Sequence, residues 1–270
     1  MVTSQTPHHR FWSQVLAACA TVVIGCSAPP PAPVAPTATG PRRIVWEERF
    51  DGAPAGWGSP SLAPPHIIRQ VYRPETDGDQ AFLHALHDAS RSMQGIEPPP
   101  PAVHYGKLFR PQEVPLASAC SLSWRWRVLR HPKITNDPWR DVAASVYVLI
   151  SRPSLFGGGR GYKFGWLAKH GPVGTTQRGL RQIERRAEPA ITPWRKEAVD
   201  LCVLYRAHYG GVEGEHIRYI GVVSDADDTR SVVEADYDDF VLANRRMSSS
   251  ERRSATLPPR AHGEDESNAQ

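Results

Sequence analysis

Cysteine is scarce here, with four in 270 residues, and none of the four forms a C-x-x-C pair. A dithiol redox centre and a zinc site therefore have no support in the sequence. The nucleophile elbow G-x-S-x-G, the zincin pattern H-E-x-x-H and the Walker loop are missing as well, and Gly157-Gly158-Gly159-Arg160-Gly161 lacks the spacing that cradles phosphates. Enzymes thus stand behind binding and structural modules as the expected class. The apolar run from Phe11 to Gly25 falls short of the roughly 20 residues that a spanning helix needs. Charge of one sign is not in large excess: 32 basic and 28 acidic residues leave a net +4. The densest basic cluster, Arg178, Arg181, Arg185 and Arg186, reads as a solvated face before it reads as an anion site, and no nucleic acid is expected as a partner. No fixed-period repeat runs through the chain.

The front end is more informative. Val23-Ile24-Gly25-Cys26 closes the apolar run and opens onto Ser27-Ala28-Pro29-Pro30-Pro31, after a short start with one cation, Arg10. That is the layout of a bacterial lipoprotein signal. Residues 1–25 are expected to be removed and Cys26 lipidated. Leu16-Ala17-Ala18-Cys19 offers a second lipobox, but cleavage there leaves an apolar core of only about eight residues, so Cys26 is favoured. Ser27 rather than Asp after the cysteine resembles sorting to an outer membrane. The expected location is therefore the bacterial cell envelope, as an outer-membrane lipoprotein facing the periplasm, with the membrane as partner through the lipid anchor. Residues 26–41 form a Pro-rich spacer and 247–270 a polar tail expected to be disordered. One domain, 42–246, remains, with enough chain for a sizeable core. In an oxidising space Cys120 and Cys202 can bridge; two buried thiols are the alternative.

Within the domain, Leu122, Trp124, Trp126 and Val128 alternate with Ser123, Arg125 and Arg127, the period of a strand with one buried face. Val142 to Ile150 is apolar on both faces and predicts a central strand. Tyr162, Phe164 and Trp166 alternate again, and His216 to Val223, Ser231 to Leu242 and Ile44 to Phe50 add further strands. Asp200 can cap a helix in which Leu201, Leu204, Tyr205, His208 and Tyr209 recur at helical spacing, ended by Gly210-Gly211. His84 with His87 reads as a helical or turn face. Short strands, frequent Pro and Gly turns and one or two short helices predict an all-β fold, an antiparallel β-sandwich of jelly-roll type.

Several of these segments carry a resemblance. Leu122-Ser123-Trp124-Arg125-Trp126-Arg127-Val128, the strand Tyr162 to Trp166, Trp194 with Glu197-Ala198-Val199-Asp200, Ile220 to Thr229 and Tyr237-Asp238-Asp239-Phe240 occur in that order. Over about Glu47 to Leu242 the chain resembles a bacterial envelope family, the domain-of-unknown-function family three-zero-four-seven. It departs from the family pattern after Asp141, where Val142-Ala143-Ala144-Ser145 replaces an Ala-Arg sequence. The resemblance implies an architecture and no reaction.

Two patches are candidate sites. Asp225, Asp227 and Thr229 alternate in an acidic loop with Asp238 and Asp239 on the next strand, so Asp225, Asp227 and Asp239 are the candidate metal ligands and calcium the candidate ion. The loop lacks the full EF-hand pattern, and a turn in which aspartates bond backbone amides is the alternative. Trp124, Trp126 and Trp166 invite a glycan platform, yet their alternation with arginine favours a core position, which leaves Arg125 and Arg127, with Trp166, as the binding candidates. No catalytic residue is assigned. The reading is a non-catalytic binding module for glycan or glycolipid; the alternative is a carbohydrate-active hydrolase using acidic-loop carboxylates such as Asp227 with Asp239.

Overall fold

The computed structural model describes residues 43–60, 63–90, 101–151, 159–171, 174–175 and 179–244. The expected signal peptide with Cys26, the Pro-rich stretch and the polar tail lie outside the described residues.

Two sheets carry the chain. The first runs in the order β11 (Ile191–Asp200), β6 (Ser121–Arg130), β13 (Val232–Ala243), β4 (Gln80–Asp88), β3 (Tyr72–Asp77), and β1 (Ile44–Glu48) pairs with β13 as well. The second runs β2 (Trp57–Gly58), β5 (Tyr105–Leu108), β12 (Tyr219–Val223), β7 (Ala144–Leu149), β8 (Gly161–Leu167), β10 (Arg181–Ala187), β9 (Gly174–Thr175). They form the all-β sandwich that the alternating segments predict. One pair departs from antiparallel order. The chain steps from β8 out to β9 and returns between them, so β10 lies parallel to β8.

The core follows from β6. Its inward row, Leu122, Trp124, Trp126 and Val128, has no exposed surface. Trp124 meets Phe164 with ring centroids 5.6 Å apart and Trp126 meets Trp166 at 5.8 Å, both partners coming from β8 of the opposite sheet. Hydroxyl groups that cross this layer are paired, while the buried indole N–H groups of Trp124 and Trp126 meet no acceptor among the described residues. The Tyr237 hydroxyl of β13 accepts from the Ser145 amide of β7 at 3.1 Å and shares a bond with the Ser224 hydroxyl at 2.9 Å. At one margin Arg185 of β10 donates twice to Glu197 of β11, at 3.1 and 2.9 Å, in a contact that joins the two sheets. Burying such a pair is tolerable because each charge finds its partner.

The short helix α2 (Leu201–Tyr209) begins where sequence places it. The Asp200 carboxylate accepts from the Val203 amide at 2.9 Å, and Gly210 ends the helix at φ 102°. Cys120 and Cys202 form a disulfide that ties the start of β6 to this helix. A second helix, α1 (Pro65–Val71), precedes β3. His84 and His87 sit on β4, a strand and not a helical or turn face, and their odd spacing sends them to opposite sides of the sheet. The pattern misled because β4 is covered on both faces: Phe82, Leu83, His84 and Ala85 are all buried.

Trp124→Ala is expected to cost about 3 to 5 kcal/mol, the range for a large aromatic lost from a packed core, read as a lower urea midpoint. A loss below about 1 kcal/mol would mean that the ring does not hold the sheets together.

Candidate functional site

The alternation that buries the tryptophans turns Arg125 and Arg127 to the outer face of the first sheet. β13 lies beside β6 with Asp236 opposite Arg127 and Asp238 opposite Arg125, so each guanidinium meets a carboxylate. Arg127 Nε donates to Asp236 Oδ2 at 2.6 Å; Arg125 donates to Asp238 Oδ2 through Nε at 3.1 Å and through Nη2 at 2.5 Å. β4 supplies the next row. His84 Nδ1 lies 2.7 Å from Asp236 Oδ1, and Gln80 Nε2 donates to Asp238 Oδ2 at 3.0 Å.

Trp194 of β11 lies across these charges, 4.8 Å from the centres of both guanidiniums. It gets there by the period of the strand, since Lys196 lies opposite Arg125 and Trp194, two residues before it, falls on the same face. Phe82 packs edge-on against it at 5.7 Å and lies 5.2 Å from the Arg127 guanidinium. The outcome is an outer sheet face with a buried polar layer: Asp236 and Asp238 are only 1% and 2% exposed. Burial pushes the Asp238 carboxyl up to about 6, a rise that Arg125 opposes. Trp194 itself is half-buried.

No protein-family model matches the chain, and no curated protein matches it either.

Two of the sequence-derived positions move, and a third change adds a residue. Trp166 is fully buried between the sheets and its Nε1 donates to the Glu188 carbonyl at 3.2 Å, so it offers no ring to a ligand. Period two places it with Tyr162 and Phe164 on the inward row of β8. Asp239 does not join the acidic loop. It sits at an irregularity of β13, at φ 51°, and reaches Arg125 Nε at 3.0 Å on the outer face of the first sheet. An extra residue there re-aims the side chain, and Asp is among the residues that tolerate the left-handed region.

The third change is a gain. Asp225 and Asp227 meet Asp141, one oxygen from each lying within 4.8 Å of the others. Asp141 precedes β7 and Asp225 follows β12, two strands that are paired, and the Asp225 amide extends their ladder to the Val142 carbonyl at 3.0 Å. Much of the trio already serves backbone. Asp141 accepts from the amides of Asp228 and Thr229, Asp225 from Asp227, and Asp227 from Ala102. Three side-chain oxygens are half of the fewest that calcium takes, so further ligands would be needed for an ion here. Buried Lys163 of β8 supplies positive charge to the same region: the charges of Asp225 and Asp141 oppose its loss of a proton, while burial pulls its ammonium down to about 8. Its Nζ lies 5.6 Å from the Trp139 ring and 5.7 Å from the Tyr147 ring.

Sequence reasoning missed Trp194, His84 and Asp236. The signal for Asp236 was present, since Glu234, Asp236 and Asp238 alternate on β13 as Arg125 and Arg127 do on β6. Trp194 shares the period-two row of Lys196, but its place over Arg125 and Arg127 depends on the pairing of β11 with β6, which no local pattern carries.

Burial and the charge of Asp227 push Asp225 up to about 7, which gives a stability prediction. Between the ordinary carboxylate value near 4 and 7 the folded state holds a proton that the unfolded chain has lost, so this contribution is full in acid and disappears as pH rises. Asp225→Asn should therefore gain on the wild type as pH rises from about 4 to 7, by up to about 4 kcal/mol in urea titrations. A wild-type-minus-variant difference that is flat across that window would show that Asp225 ionises normally.

Proposed function

We propose that this protein is a lipid-anchored, non-catalytic module of the bacterial envelope that holds a glycan on the outer face of its first sheet. The observation that carries the reading is Trp194, a half-buried ring packed on two guanidiniums over a layer of hydrogen-bonded carboxylates. Sugar rings present C–H faces to aromatics and hydroxyls to paired polar groups, and this face supplies both. The envelope location is supported by the lipoprotein layout of the sequence and by the Cys120–Cys202 disulfide, which suits an oxidising compartment. Membership of the resembled envelope family belongs to the same proposal, supported by the motif segments Leu122 to Val128 and Tyr237 to Phe240 lying on adjacent strands.

One observation favours a hydrolase as the second reading. Glu234, Asp236 and Asp238 stand at alternate positions on one face of β13, with Asp238 raised to about 6 and Glu234 28% exposed. A carboxyl with a raised proton affinity and an exposed carboxylate are the two kinds of group that glycoside hydrolysis uses, but four residues along a strand set these two about 13 Å apart at the backbone, wider than that chemistry spans. Against it, Asp236 and Asp238 are each tied to an arginine.

Immobilised oligosaccharides tell these apart. The wild type should be retained without releasing reducing ends, and Trp194→Ala should weaken retention about tenfold, equivalent to ~1.4 kcal/mol. Release of reducing ends that stops in Glu234→Gln would replace the binder with the hydrolase. The anchor has its own test. Labelled palmitate should enter the full-length protein and be lost in Cys26→Ala; loss in Cys19→Ala with Cys26→Ala still labelled would move the lipidated residue to Cys19.

A further inference from the structure

The Arg125 and Arg127 face has the composition of an anion site, but its hydrogen bonding argues for another ligand. Arg127 is committed to Asp236, and Arg125 to Asp238 with Asp239 also at 3.0 Å. At the rim Arg73 is closed by Glu75. An anionic group reaching either inner arginine meets a guanidinium whose charge an aspartate at most 2% exposed already balances, and drawing that arginine away would leave a buried carboxylate without its cation. Like-charge approach adds to this: the carboxylates most open to solvent here are Glu234, 28% exposed, and Asp239, 45% exposed. Lys196 on β11 and Arg130 at the end of β6, opposite Glu234, are exposed cations of this face for which no ion pair is seen among the described residues.

We infer that the glycan taken by this face is uncharged, a neutral oligosaccharide laid on Trp194, and not a phosphate- or carboxylate-bearing one. The inference rests on the glycan-binding proposal and narrows it. A neutral sugar leaves every Arg–Asp pair intact. Its hydroxyls can donate to carboxylate oxygens and accept from guanidinium N–H groups together, the double role that a single charged group cannot fill. Its C–H face meets the indole without bringing charge into the polar layer. The paired charges act as fixed dipoles that order the ligand, and so binding should respond little to salt.

The test uses the mature protein and follows tryptophan fluorescence on titration with two ligand sets. One set is neutral, gluco-oligosaccharides and N-acetylglucosamine oligomers; the other is anionic, oligogalacturonates and a phosphorylated oligosaccharide. Each is run at 0.05 and 0.5 M sodium chloride, concentrations that bracket strong and weak screening on the order of tenfold in ionic strength. The expected result is binding of a neutral ligand that changes less than about twofold between the two salts and weakens about tenfold in Trp194→Ala. Trp194→Phe, which keeps a ring, should recover most of it, and matching melting curves guard against an unfolded variant. Binding confined to the anionic set, falling steeply with salt, overturns this inference and keeps the glycan reading. Binding of neither set by the wild type overturns the glycan reading and this inference with it.

Discussion

The pairing of β6 with β13 is the contact on which the rest depends. Between Arg125 and Val128 and between Ala235 and Asp238 the two strands alternate in register, which sets Trp126 opposite Tyr237 on the inward side and Arg127 opposite Asp236 on the outward side. A slip of one residue would send the indoles to solvent and the guanidiniums into the sandwich, which neither face could tolerate. The same register is therefore fixed twice, once by apolar burial and once by charge. The core and the candidate site are two sides of one decision.

The outward side is unusual in being buried as well as charged. An exposed Arg–Asp pair contributes little, because water screens it and ordering two long side chains is unfavourable. Here Trp194 and Phe82 lie over the guanidiniums and remove much of that water, so the pairs become stronger and also harder to break singly. The carboxylates are ordered further by His84 and Gln80. What results is a rigid polar layer whose partners are mutually satisfied. Such a layer is preorganised for hydrogen bonding and ill suited to exchanging one of its ions.

Much of this was legible in the sequence, and the limits have physical causes. Strands with one wet face announced themselves: the alternation at Leu122 to Val128 gave the element, its faces and the core tryptophans. The helix at Leu201–Tyr209 was readable because Asp200 caps it and Gly210 ends it. β4 was not, since burial on both faces erases period two. The site was half legible. Arg125 and Arg127 were placed outward correctly, but Trp166 was offered to a ligand although its own alternation with Phe164 puts it inside. Proximity along the chain suggested Asp239 as a partner of Asp225 and Asp227; the irregularity at Asp238 and Asp239 instead turns it toward Arg125. Asp141 arrived from a distant segment, through the pairing of β7 and β12, and no local pattern carries such a contact.

The two groups of aspartates answer the problem of buried negative charge in different ways. On the first sheet Asp236 and Asp238 each face a guanidinium at hydrogen-bond distance, and the charge is balanced within the pair. In the acidic loop Asp141, Asp225 and Asp227 lean on backbone amides, with Lys163 acting across a gap longer than an ion pair. Amide dipoles neutralise less than a cation does, and burial, joined by the charge of Asp227, pushes the Asp225 carboxyl up to about 7. The first arrangement is stable whether or not a ligand comes. The second leaves less compensation, and Asp225, raised to about 7, changes its charge closer to neutrality than Asp238, raised to about 6.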